Sequence, residues 1–292
     1  MPMALGTVHS PTREYQVLRQ LKSGETYDIF LGTYDHEGKE RRIAIKAVGE
    51  AGLNSFAKHE AEMLTRLNRS LEKAKLGNRL LIPELVDCFE YHDGRQVIMT
   101  EYADGYYDLE EIREAYPRGV PPQHVAWMFR RMLAAIMAAH GAGIIHGKVL
   151  PHHVLIRSGN RSDDLRHTGV LVDWTCAVQD TTPGEWPRLT AMSEAYRVFY
   201  PQEVEMREPV TPSTDLAMAA ACAQYLLGGD VASGEVPDTT PAGMARLFEQ
   251  CRAPKVAQRP RDLGEFDQQF QRMLVPYFGP SKFVELPLPV RS

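Results

Sequence analysis

The sequence has no excess of positive charge, no paired cysteines and no apolar run long enough for a bilayer, and each absence closes off a class of function. A net charge of −5 and a pI near 6.1 give no general basic field of the kind that nonspecific nucleic-acid binding requires. Nucleic acid is therefore not an expected partner. The four cysteines, Cys88, Cys176, Cys222 and Cys251, are widely spaced and form neither CxxC pairs nor a disulfide framework. That usage suits a reducing compartment, with each thiol a small buried hydrophobe. The longest apolar run, Leu216 to Leu227, is too short to span a bilayer and reads as a buried helix. The opening stretch, MPMALGTVHSPTREYQ, lacks the basic start and apolar core of a secretion signal. A cytoplasmic protein without membrane contact is the expectation. Internal repeats and low-complexity segments are lacking too.

What is present is enough chain, 292 residues, for one large domain or two lobes with a buried core. The hydrophobic period changes near residue 103. Before it the pattern is strand-like, in YQVLRQL, DIFLGTY, RRIAIKAV, PELVDCFEY and RQVIMTEY, punctuated by turn formers at His36 to Lys39 and at Asp93 and Gly94. One helix interrupts, LNSFAKHEAEMLTRLNRSLEKAKL, with Phe56, Met63, Leu64 and Leu67 near helical spacing. After residue 103 helices dominate. Val125, Met128, Met132, Ile136 and His140 recur at steps of three and four. The Pro-rich end, PYFGPSKFVELPLPVRS, is expected to lie extended against a surface.

The stretch HGKVLPHHVLI, His146 to Ile156, has the frame of a catalytic loop, and the features around it resemble the protein kinase superfamily over roughly residues 12 to 275. The matching segments, in order, are IAIK, FAKHEAEMLTRL, IMTEYADG, LAAIMAAHGAGIIHG, VLVDWTCA, YPQEV, STDLAMAAACAQYLLGG and QRP. The resemblance implies an α+β, bilobal protein-kinase-like fold: a β-rich N-lobe with one main helix, and a mostly helical C-lobe. It divides the chain into an N-terminal extension (1–11), N-lobe and hinge (12–103), C-lobe (104–275) and a Pro-rich tail (276–292).

By the same resemblance Lys46 is the phosphate lysine and Glu60 its partner, whereas Glu62 lies about 200° further round the helix. Thr100 is the gatekeeper, and Glu101 and Ala103 offer backbone groups to an adenine that Ile29, Ala44 and Leu155 sandwich. Asp173 is the metal carboxylate. His146, Asp215 and the pair Glu203 and Arg259 are structural. Lys46 and Glu60 have a plainer reading as a brace of the N-lobe.

The departures bear on chemistry. Aligned on His146 and Pro151, Gly147 stands for the arginine of the HRDLxxxN motif, Lys148 for the proton-accepting aspartate and His153 for the magnesium-binding asparagine. An ammonium accepts a proton poorly unless its pKa falls, and it repels magnesium. Histidine is a poor ligand for a hard cation. Without the arginine, an activation-loop phosphate lacks its usual receiver. In the phosphate-covering loop, KSGETYDI, Gly24 keeps one glycine, while Lys22 and Tyr27 replace two others and the tyrosine ring is placed to fill the space.

These departures predict a pseudokinase that acts as a scaffold or regulator of a partner protein. They allow ATP as a weak or metal-independent ligand, make magnesium doubtful, and permit Lys148 to pair with Asp173. The alternative is an active, atypical kinase-fold enzyme that transfers a phosphoryl or nucleotidyl group. Further readings concern smaller features. His146, His152 and His153 suggest zinc, against which adjacent histidines are expected to point apart. Arg66, Arg69, Lys73, Lys75 and Arg79 form either a solvated helix face or a docking surface for an acidic partner. Thr175, Thr181, Thr182, Thr190 and Ser193 are hydroxyls open to phosphorylation by another kinase.

Overall fold

The computed structural model describes residues 6–74, 81–159, 167–179 and 186–289. Lys75, Arg79, Thr181 and Thr182 lie outside the described residues. The chain divides into two compact units, one ending at Asp104 and the other starting at Gly105.

The first unit is a six-stranded antiparallel sheet with one long helix. Its strands are β1 (Gly6–His9), β2 (Glu14–Ser23), β3 (Tyr27–His36), β4 (Lys39–Val48), β5 (Leu85–Glu90) and β6 (Gln96–Glu101), in the order β1-β2-β3-β4-β6-β5. The β3–β4 hairpin turns on Glu37 and Gly38, both with positive φ, as a two-residue loop between twisted strands requires. Alternation along β4 sends Ile43, Ile45 and Ala47 into a core with Tyr15, Val17, Phe30, Val97 and Met99. Its other face carries Ala44, Lys46 and Val48. There α1 (Asn54–Lys73) packs, burying Ala57, Glu60, Ala61, Met63, Leu64, Leu67 and Leu71. Strand period and helix period thus bring Lys46 and Glu60 to one side of the sheet.

The second unit is mainly helical: α2 (Leu109–Ala115), α3 (Pro122–Gly141), α4 (Gln202–Glu205), α5 (Pro212–Leu227), α6 (Ala242–Cys251) and α7 (Leu263–Phe278). Starts are written into the sequence. Asp108 and Glu111 form a capping box for α2, the Thr211 amide donates to the Thr214 hydroxyl at 3.0 Å at the start of α5, and α3 opens on Pro122. The expected apolar helix is α5, buried on nearly every side. Phe129, Phe248, Phe266 and Phe270 lock α3, α6 and α7 together through edge-on and tilted ring contacts. Strands β7 (Tyr107–Asp108), β9 (Val154–Arg157) and β10 (Thr168–Leu171) form a sheet in the order β10-β9-β7, and β8 (Ile144–Ile145) pairs with β11 (Val178–Gln179).

Two boundaries differ from the sequence reading. The N-terminal extension contains β1, which pairs with β2 from Gly6↔Val17 to His9↔Glu14; four residues beginning on glycine give too little alternation to signal a strand. The tail was expected from residue 276, but α7 continues through Pro276 to Phe278. The Tyr277 hydroxyl, accepting from the Gly243 amide at 3.3 Å, ties that last turn to α6. All four cysteines are free thiols, three of them buried. Among the described residues no helix is long and apolar enough to cross a membrane.

Candidate functional site

A single carboxylate in the first turn of α5 shapes the loop that runs from β8 to β9. Asp215 accepts hydrogen bonds from the amides of His146 at 2.8 Å and Gly147 at 2.7 Å, and lies 2.8 Å from His140 Nε2. Burial pushes its carboxyl up, but the His140 hydrogen bond and the neighbouring histidine and amide groups outweigh that and hold it below the usual carboxylate range. His146 is fully buried, and burial lowers its pKa to about 4. Its Nδ1 accepts from the Lys148 amide at 3.1 Å, so the proton sits on Nε2, 3.1 Å from the Val172 carbonyl. The Trp174 ring meets it edge-on at 4.4 Å. Gly147 has φ +71°, and a Cβ there would collide with Leu189. The arginine position is thus filled by a leucine from the following segment.

Asp173 follows β10 in a left-handed conformation, φ +64°, and its carboxylate is engaged on both oxygens. Lys148 Nζ lies 3.1 Å and His153 Nε2 2.9 Å from Oδ2. On Oδ1, the Thr175 hydroxyl donates at 2.5 Å and the Thr175 amide at 3.3 Å. His153 Nδ1 is 3.0 Å from the Lys148 carbonyl. Both ring nitrogens therefore face acceptor oxygens. For Lys148, burial acts to lower the pKa, but the Asp173 carboxylate, together with Cys176 and Tyr200, outweighs it and the pKa is raised. It stays an ammonium.

In the first unit Lys46 Nζ lies 2.6 Å from both oxygens of Glu60, and both residues are buried. Glu62 is exposed and pairs with Arg66 at 2.7 Å. The Tyr27 ring covers Lys46, with Nζ 4.3 Å from its centroid, a cation–π contact. The Gly24 amide donates to the Tyr27 carbonyl at 2.8 Å and closes the β2–β3 turn. Ile29 is directly opposite Lys46, and Thr100, which is buried, is opposite Ala44. Ile29, Ala44, Lys46 and Thr100 hence share one face. The Glu101 amide donates to the Glu84 carbonyl at 2.9 Å, so that amide is not available to an adenine. Ala103 and, in β9 of the second unit, Leu155 are half-buried.

Farther along, Glu203 and Arg259 form a bidentate, buried pair at 2.5 and 2.9 Å, with the Thr214 hydroxyl donating to Glu203 at 3.0 Å.

Several expectations need correction. The rings of His152 and His153 do not point apart; their centroids lie 3.9 Å from each other, and His152 also packs on Tyr196. Proximity alone, however, makes no metal site: among the described residues no three His, Cys, Asp or Glu side chains are positioned to hold a metal ion. Thr175 and Ser193 are buried and closed to a modifying enzyme, whereas Thr190 is exposed. Arg66, Arg69 and Lys73 lie on the exposed face of α1. The roles of Thr175 and Leu189 were missed. A hydroxyl two residues after an aspartate was the available signal for the first; nothing local announces the second.

This fold, an antiparallel sheet with one helix followed by a helical unit holding the loop and Asp173, is that of protein kinases. No family model matches the chain. It is 25% identical over 279 residues, 94% of its length, to the serine/threonine-protein kinase PknF of Mycobacterium tuberculosis, and 23% identical over 275 residues to PknH of Mycobacterium bovis. The chain spans about half the length of these curated relatives, 54% of PknF and 42% of PknH. Among solved structures it is similar to the Mycobacterium tuberculosis PknI kinase domain, with a TM-score of 0.63 and 22% identity over 93% of this chain and 99% of that one. It is also similar to the BubR1 kinase domain, with a TM-score of 0.68 and 14% identity over 94% and 84%. The fold is therefore that of protein kinases, and the sequence is similar to serine/threonine-protein kinases over most of its length.

Proposed function

We propose that this chain is a pseudokinase that works by binding a partner protein, as a scaffold or regulator, rather than by transferring phosphate. The observation that supports this reading is the closed coordination of Asp173. Lys148 and His153 occupy one carboxylate oxygen and Thr175 the other. A magnesium ion needs carboxylate oxygens turned toward it and a site free of competing cations. An ammonium 3.1 Å from Oδ2 opposes both conditions, so magnesium does not fit these residues. The proton-accepting position fails as well, because Lys148, with its pKa raised, cannot take a proton from a substrate hydroxyl. Lys46 retains its glutamate but is covered by Tyr27. On this reading ATP is a weak ligand, independent of magnesium, that serves structure rather than chemistry.

The experiment is incubation of the purified protein with labelled ATP and magnesium or manganese beside Asp173→Asn, with a thermal-shift titration of ATP with and without each metal. No incorporation and no metal-dependent shift are expected. Robust incorporation that disappears in Asp173→Asn would sink the proposal and favour atypical phosphoryl or nucleotidyl transfer.

A further inference from the structure

We propose that the second unit carries a groove that reads an extended peptide of the pattern aromatic-x-x-Leu-Pro-x-Pro, and that the chain's own segment Phe283 to Pro289 occupies it in cis. This assignment stands whether or not the chain transfers phosphate. The segment follows α7, forms no strand pairing, and crosses the small sheet in the sheet's own order, from β10 past β9 to β7. At the β10 side the Phe283 ring stacks on His167, centroids 4.8 Å apart, and His167 stacks in turn on Trp127 of α3 at 4.0 Å. At the end of β9 the Leu286 amide donates to Ser158 Oγ at 3.0 Å, and its side chain is buried. At the β7 side the Tyr116 hydroxyl donates to the Pro287 carbonyl at 2.6 Å, and the Tyr107 hydroxyl donates to the Pro289 carbonyl.

Of the held positions 283, 286, 287 and 289, three are spaced by three residues, the repeat of a polyproline II helix. Such a helix has no internal hydrogen bonds and leaves its carbonyls to outside donors. Aromatic walls with hydroxyl tips suit it: rings take the apolar face, hydroxyls take the carbonyls, and proline has already surrendered its φ freedom. Lys282, just before the first contact, and Glu285, between the contacts, are exposed and supply no specificity. Because the segment is held by ring faces, one leucine and a few hydrogen bonds, a partner segment of the same pattern can replace it.

The test uses the full chain. A labelled peptide, KFVELPLP, is titrated into the unaltered protein and into Phe283→Ala/Leu286→Ala, which loosens the cis segment. Tethering gives that segment a high effective concentration, so the peptide is expected to bind the double variant at least about tenfold more tightly. Adding Tyr107→Phe/Tyr116→Phe should weaken this binding, as should alanine in place of the peptide's Leu and first Pro. Equal affinity for both proteins, or no binding to the loosened one, overturns the proposal. Hydrogen exchange guards against loss of fold: Tyr107→Phe/Tyr116→Phe in the otherwise unaltered chain should speed exchange at residue 286 about tenfold while leaving α5 unchanged. Unchanged exchange there also overturns it.

Discussion

Leu189 occupies the space in which a side chain at position 147 would stand. Gly147 combines that close approach with φ +71°, so a substitution meets both a steric and a conformational obstacle. Gly147→Ala is expected to lower stability by about 1 to 3 kcal/mol, read as a shift in urea midpoint. Gly147→Arg, although it restores the family residue, should cost no less. An unaltered midpoint would mean that Leu189 gives way freely.

The pair of Glu203 and Arg259 is buried and bidentate. Removing either partner leaves an uncompensated buried charge, so Glu203→Ala and Arg259→Ala are each expected to cost about 3 to 5 kcal/mol. A double-mutant cycle should show strong coupling, the double variant losing much less than the sum. Additive losses would contradict the geometry.

If Lys148 and His153 are what keeps magnesium from Asp173, removing them should admit it. Lys148→Ala/His153→Asn is expected to gain a magnesium-dependent rise in melting temperature with ATP that the parent lacks. Calorimetry showing that parent and variant respond to magnesium alike would break the link between these residues and the metal.

Burial holds His146, and also His124, to a pKa of about 4. In the unfolded chain both take a proton near the ordinary value of about 6.5. As pH falls below that value the unfolded state gains protons that the native state refuses, so stability is full above it and is lost as pH drops toward 4. Each histidine contributes on the order of 3 kcal/mol over the window. Asp215, held below the ordinary carboxylate range, extends the loss to lower pH. Urea midpoints should fall between about pH 7.5 and about pH 4.5; a flat profile would rule out the buried, neutral state of both rings.

Much of this architecture was legible because it rests on repeating patterns. The segments IAIK and FAKHEAEMLTRL pointed to Lys46 and Glu60 through the family resemblance, and helical spacing set Glu62 about 200° away. Pairing of Lys148 with Asp173 followed from charge. What stayed hidden depends on side chains distant in sequence, such as Leu189 against Gly147 and Tyr116 against Pro287. His153 was read as a lost ligand because the alternative, a direct contact with Asp173, requires knowing where two loops meet. The strand Gly6–His9 was silent for a different reason: its pairing with β2, rather than its own composition, makes it a strand.

Asp215 holds the His146 and Gly147 amides from inside the unit, while Lys148 and His153 project their side chains elsewhere. The path of the chain through this loop is therefore set by one group and its reactivity by others. Such a division makes form and chemistry separately mutable: a lineage can exchange the working side chains without refolding the scaffold, and a designer can attempt the reverse.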